Sequence, residues 1–231
     1  MSGLPREARK LLWVSLFGMS FAVVEASVVV YLRSLYYPEG FTFPLKAITP
    51  SHLGVELSRE AATILMLVVV GVLAGSKSWG KFAYFIVGFG VWDVFYYIWL
   101  RVMVNWPASL TEWDILFLIP VPWIGPVIAP VLISLGMVIS GGVIVFRLER
   151  GKPFQPGWRE WGLSVLATAI ILYSFTADTP ATMRFQQPVP YRYGLLALGL
   201  VLYAVSFIAS CRGSHSPSGD EKRGKTGRSG F

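Results

Sequence analysis

The sequence is poor in the residues that most often announce chemistry. It holds one cysteine, Cys211, and two histidines, His52 and His215. A single cysteine excludes an internal disulfide and any multi-cysteine metal or cluster site. Neither histidine lies within an apolar run, so neither is placed to ligate haem, copper or zinc inside a membrane. The chain also lacks a serine-nucleophile motif, a Gly-rich phosphate loop and an HExxH helix. No cofactor and no metal site are expected, the one route to a metal being carboxylates from separate helices around a hard cation.

Charge is scarce as well. Charged residues make up 14% of the chain, hydrophobic ones 54%, and the mean hydropathy is +0.58. Soluble domains carry about 25% charged residues, so this composition points to lipid as the solvent. The 231 residues suit one polytopic domain over 1–212. Residues 213–231, rich in Gly, Ser and Lys, cannot bury enough surface to offset ordering entropy, and a disordered cytoplasmic tail is expected there. The net charge of +7 does not signal nucleic acid, because the basic residues sit in short segments beside apolar runs rather than in stripes with stacking aromatics.

Six apolar runs are long enough to cross a bilayer: Leu11–Leu32, Leu53–Gly75, Phe82–Val104, Pro126–Phe146, Trp161–Ala177 and Tyr193–Cys211. The first follows a basic N-terminal stretch but runs for about 22 residues, too long for a signal-peptide core, so it reads as a retained span. Thr49-Pro50 predicts a helix start, a cap followed by an N1 proline. With the N-terminus inside, the inner segments carry fourteen basic residues, among them Arg6, Lys77, Arg147 and Lys152. The outer segments and outer half keep six, Arg33, Lys46, Arg59, Arg101, Arg184 and Arg192. The expected fold is therefore an all-α integral membrane bundle of about six helices, N-in and C-in, in a cytoplasmic (inner) membrane.

Small residues recur every four positions at Gly18, Ala22 and Ala26, at Gly71 and Gly75, and at Gly136 and Ser140. Such spacing predicts close helix contact, within one subunit or across a homo-oligomer. An internal echo links the first and third spans: Glu25, five residues, Tyr31-Leu32-Arg33, against Asp93, five residues, Trp99-Leu100-Arg101. It is the pattern a duplication of two spans would leave.

The charges within the runs are costly and so informative. A charged side chain at the bilayer centre costs at least ~2.5–3.5 kcal/mol on insertion scales. Glu25 falls about 14 residues into the first span, ~21 Å from its inner end. Asp93 lies near the middle of the third, and Glu56, Arg59 and Glu60 enter the second from outside. Arg33 and Arg101 lie two turns outward of Glu25 and Asp93, with Tyr96 and Tyr97 at similar depth. An i to i+8 spacing is too long for direct pairing along one helix, so pairing across helices is expected, Asp93 or Glu25 facing Arg59, Arg33 or Arg101. The expected cluster is Glu25, Arg33, Glu56, Arg59, Glu60, Asp93, Tyr96, Tyr97 and Arg101, opening outward.

Between the third and fourth runs stands WDILFLIPVPWIGPVIAP, with prolines at 120, 122, 126 and 130. Too few residues separate Asp114 from Pro120 for a span, so a short re-entrant or interfacial segment is expected, either a rigid connector or a wall over the polar cluster. Three functions fit this reading. The first is binding or translocation of a small polar solute, ion or proton. The second is a membrane-embedded enzyme acting on a lipid-linked substrate from the outer leaflet, with carboxylates as acid/base and arginines on phosphate. The third is an accessory subunit of a membrane complex whose charges only fix its shape. The expected partners are the bilayer and a small polar solute or lipid headgroup, not nucleic acid.

Overall fold

A computed structural model of the chain describes residues 5–43, 45–46, 48–186 and 190–212. The tail over 213–231, with His215, lies outside the described residues. Of the described residues, 73% are helical. Its long helices are α1 (Arg6–Tyr36), α2 (Pro50–Ala74), α3 (Ser78–Val104), α4 (Ile128–Glu149), α5 (Trp158–Thr176) and α7 (Tyr193–Arg212). A single-turn α6 (Thr179–Met183) follows α5. Six helical segments are long and apolar enough to cross a membrane, α5 and α6 together making one of them. The surface fits lipid: Leu73, Ile139, Val165 and Val201 are each more than half exposed.

Most helix ends fall where the local chemistry puts them. Pro50 sits at N1 of α2 after Thr49, as the sequence predicts, yet the Thr49 hydroxyl does not cap the helix. It lies instead 3.4 Å from the Tyr36 hydroxyl and 3.3 Å from that of Ser51. α3 ends at Asn105, which takes the left-handed conformation (φ 57°) that Asn tolerates better than most residues. Helix α1 extends beyond the predicted run at both ends, to Arg6 and Tyr36. The expected start of the fourth span at Pro126 is corrected to Ile128, because Pro126 still belongs to a strand.

That strand belongs to the proline-rich segment. Residues Trp113–Phe117 (β1) and Trp123–Pro126 (β2) form an antiparallel hairpin, with Asp114 opposite Gly125 and Ile115 opposite Ile124. A register shift between Ile115 and Phe117 breaks the pairing before the proline turn. This is the departure from an all-α chain among the described residues. Pro126 stands at the end of its strand, where a missing N–H costs the ladder least.

Helix α3 is the centre. Its apolar stretch is 61% buried, against 22–28% for the other five, and it packs on α1, α2 and α4. Glycine sets these contacts. A Cβ on Gly18 of α1 would lie 3.0 Å from the Gly88 carbonyl, and one on Gly71 of α2 would lie 2.7 Å from Phe85 Cβ. On the other side, a Cβ on Gly141 of α4 would meet the Ala83 carbonyl at 2.7 Å, and one on Gly90 the Ser134 carbonyl at 2.5 Å. The backbones touch because nothing stands between them, which is how helices gain contact in lipid. The small-residue pattern therefore reads correctly for α1 and α2 but not for α4. Gly136 has open space around it, and the Ser140 hydroxyl bonds back to the Gly136 carbonyl. The interface of α4 uses Ser134 and Gly141 instead. α5 and α7 pair with each other and reach the rest through β2 and α4.

Candidate functional site

The charges of α1 and α2 meet at the end of the bundle that carries the hairpin. On α2, Glu56, Glu60, Thr63 and Leu67 recur at four- and three-residue steps, one face of a helix, and all four are buried. That face turns to α1, where Glu25 is also buried. Arg59 bridges the helices. Its Nε and Nη2 donate to Glu56 Oε2 at 3.0 and 2.8 Å, and its Nη1 donates to Glu25. Thr63 donates to the other Glu25 oxygen at 2.8 Å. Glu60 turns to the hairpin and accepts the Leu118 backbone N–H at 3.0 Å. It thereby fastens the turn after β1 to α2.

A second pair stands beside the first. Arg33 Nη2 donates to Asp114 Oδ1 at 3.0 Å, and its guanidinium lies between the rings of Phe41 and Trp106, 4.3 and 3.7 Å from their centres. The carboxylate and the two rings together compensate the guanidinium for its removal from water. Burial pushes the Asp114 carboxyl up to about 6, while the neighbouring Arg33 and the Tyr97 hydroxyl pull it the other way.

Between α1, α2, α3 and the hairpin lies a cavity of about 130 Å³. Its polar wall is Glu25, Arg33, Glu56, Arg59, Glu60 and Thr63; the rest is largely aromatic and aliphatic, including Trp92, Tyr96, Phe117 and Leu118. The volume gives room for several waters or a solute of a few heavy atoms, well below the roughly 300 Å³ at which drug-sized sites begin. One helical turn further along α1 and α2, Ala22 and Leu67 pack with Trp92 and close the space.

Of the nine residues expected to converge, six line this cavity: Glu25, Arg33, Glu56, Arg59, Glu60 and Tyr96. Three do not. Tyr97 is buried beside Asp114 and is not part of the cavity lining. Asp93 points to the opposite side of α3, where Ser134 of α4 donates to it at 2.8 Å. No cationic side chain lies within ion-pair distance of Asp93 among the described residues. The expected convergence of Arg101 is corrected by a local cause. Its Nη1 donates to the carbonyls of Asn105 and Pro107 at 2.8 and 3.0 Å, closing the end of its own helix.

Asp93→Asn should therefore leave the unfolding temperature in detergent unchanged or raise it, since the amide keeps a bond to Ser134 and strands no arginine. A fall comparable to that of a broken ion pair would show a cationic partner for Asp93.

Sequence reasoning missed Asp114, Thr63 and Ser134 as site residues. Thr63 was readable, since it continues the Glu56–Glu60 face by one turn. Asp114 had a weaker signal, a lone carboxylate in the apolar strand WDILF. Ser134 had none. Among the described residues, no group of three or more His, Cys, Asp or Glu side chains is arranged to share a metal ion. Compared with protein families, with characterised proteins and with solved structures, the chain matches none.

Proposed function

We propose that this chain is a multi-pass protein of a cytoplasmic membrane, N-in and C-in, that binds or translocates a small polar solute or ion through the cavity between α1, α2, α3 and the hairpin. The distribution of basic residues supports this orientation, with the hairpin end outside. The observation that carries the function is the cavity itself. Buried carboxylates and a guanidinium surround open space of solute size, where a purely structural network would fill its own interior. In this conformation the space is closed below by Ala22, Leu67 and Trp92, so the site is one for capture from the hairpin side.

The test is thermal unfolding of the purified protein in mild detergent with sodium chloride, sodium acetate, glycerol, glycine and ethylammonium chloride, at matched ionic strength. One of these should raise the midpoint in a saturable way. Val29→Trp, which adds an indole to the cavity wall, should remove the effect. A flat response to all five, equal in wild type and variant, would count against a binding cavity.

A further inference from the structure

The charges in the cavity wall do not balance, and the imbalance names a ligand class. This inference rests on the binding reading above and adds the sign and donor character of what is bound. Arg33 is neutralised by Asp114. Arg59 is the remaining guanidinium, and it is shared by two carboxylates, Glu25 and Glu56. Glu60 makes no ion pair among the described residues and is met by backbone N–H from the hairpin. Three carboxylates thus face one available cation.

Acceptor capacity is left over as well. Glu56 is 5% exposed and lines the cavity. Both of its bonds from Arg59 land on Oε2, so Oε1 accepts no hydrogen bond among the described residues. Glu56 Oε1 is thus an acceptor with accessible surface in an otherwise buried side chain, able to take an N–H or O–H from a solute in the cavity.

The geometry points to a small organic ammonium, a primary amine in its charged form, as the ligand of this cavity. Its N–H groups would meet Glu56 Oε1 and the Glu60 carboxylate, relieving an excess of negative charge in a poorly solvated space. The rest of the wall favours an organic cation over a metal ion. Trp92, Tyr96 and Phe117 supply aromatic wall against which a cation and its alkyl group can pack, whereas a metal ion would need its carboxylates gathered at one point, and no such group of three occurs among the described residues. The same chemistry exists in a free amine and in an ethanolamine lipid headgroup.

In the panel above, ethylammonium should be the solute that raises the midpoint, with sodium ion and acetate inactive. Tetramethylammonium, which carries the charge but no N–H, should be at least about tenfold weaker than ethylammonium. Glu56→Gln should raise the half-saturating ethylammonium concentration about tenfold or more. Glu60→Gln is the second variant, should Glu56→Gln not accumulate, and the same loss is expected. Repeating the titration in nanodiscs of phosphatidylethanolamine and of phosphatidylcholine separates the sources. A higher starting midpoint and a blunted ethylammonium response in the ethanolamine lipid identify the headgroup, and equal responses identify a free amine. A shift produced by acetate or glycerol but not by ethylammonium overturns the ammonium assignment while leaving a binding cavity. An ethylammonium shift that survives intact in the glutamine variant also overturns it. A flat response to every solute removes both readings.

Discussion

Asp114→Ala should lower the unfolding midpoint more than any other single change in the polar network. It removes the carboxylate bonded to Arg33 and leaves a guanidinium wedged between Phe41 and Trp106. Breaking a buried pair on one side typically costs about 3–5 kcal/mol, because the surviving charge keeps its desolvation penalty. Removing both charges is a different matter. Arg33→Met with Asp114→Leu keeps the volume and eliminates the charge, so the double variant should recover much of the loss. The cycle is read by detergent thermal unfolding. Two single losses that simply add in the double variant would show that Arg33 and Asp114 act independently.

The second large effect concerns the backbone contact between α3 and α4. Gly90→Ala adds one methyl, yet its Cβ would sit 2.5 Å from the Ser134 carbonyl and 2.8 Å from Val138 Cγ2. The carbonyl cannot turn aside without disturbing its helix, so the helices must part. Overpacking of this kind costs about 1–3 kcal/mol. It also pulls Ser134 from Asp93, whose bond spans the same interface. Gly136→Ala is the control, on the same pair of helices but with open space around it. That substitution should be neutral or slightly stabilising, since Ala favours the helix over Gly. Equal destabilisation by both variants would mean that helix propensity rather than contact governs.

The features legible in the sequence were those set by local pattern. Span positions follow from hydropathy, and the Thr49-Pro50 start from the geometry of proline. The tight packing of Gly18 and Gly71 follows from their spacing. The grouping of Glu25 with Arg59 was legible too, because each is expensive alone and neither can pair along its own helix. What was not legible depends on rotation about helix axes and on strand register. Asp93 faces α4 rather than α2 because α3 is surrounded, and hydropathy does not tell the sides of a helix buried all round. Arg101 had a local use at its helix end that competed with any distant carboxylate. Asp114 meets Arg33 only because the hairpin folds back over the bundle, across 81 positions of sequence. Gly136 shows the limit of spacing rules, since the stripe of α4 that meets α3 is rotated away from it.

The bridge from Arg59 to Glu25 and Glu56 also bears on how the chain can be built into a bilayer. It joins two spans synthesised one directly after the other, before α3 exists to shelter either of them. A lone glutamate and a lone arginine would each resist partitioning from the translocon into lipid. Delivered together as a helical hairpin, they enter as internally compensated charges, and the pair can wait in the membrane for its third helix. Synthesis order and electrostatics are matched: the charges that must be neutralised earliest lie on neighbouring segments. Asp93, which appears later, finds its hydroxyl partner on the very next span.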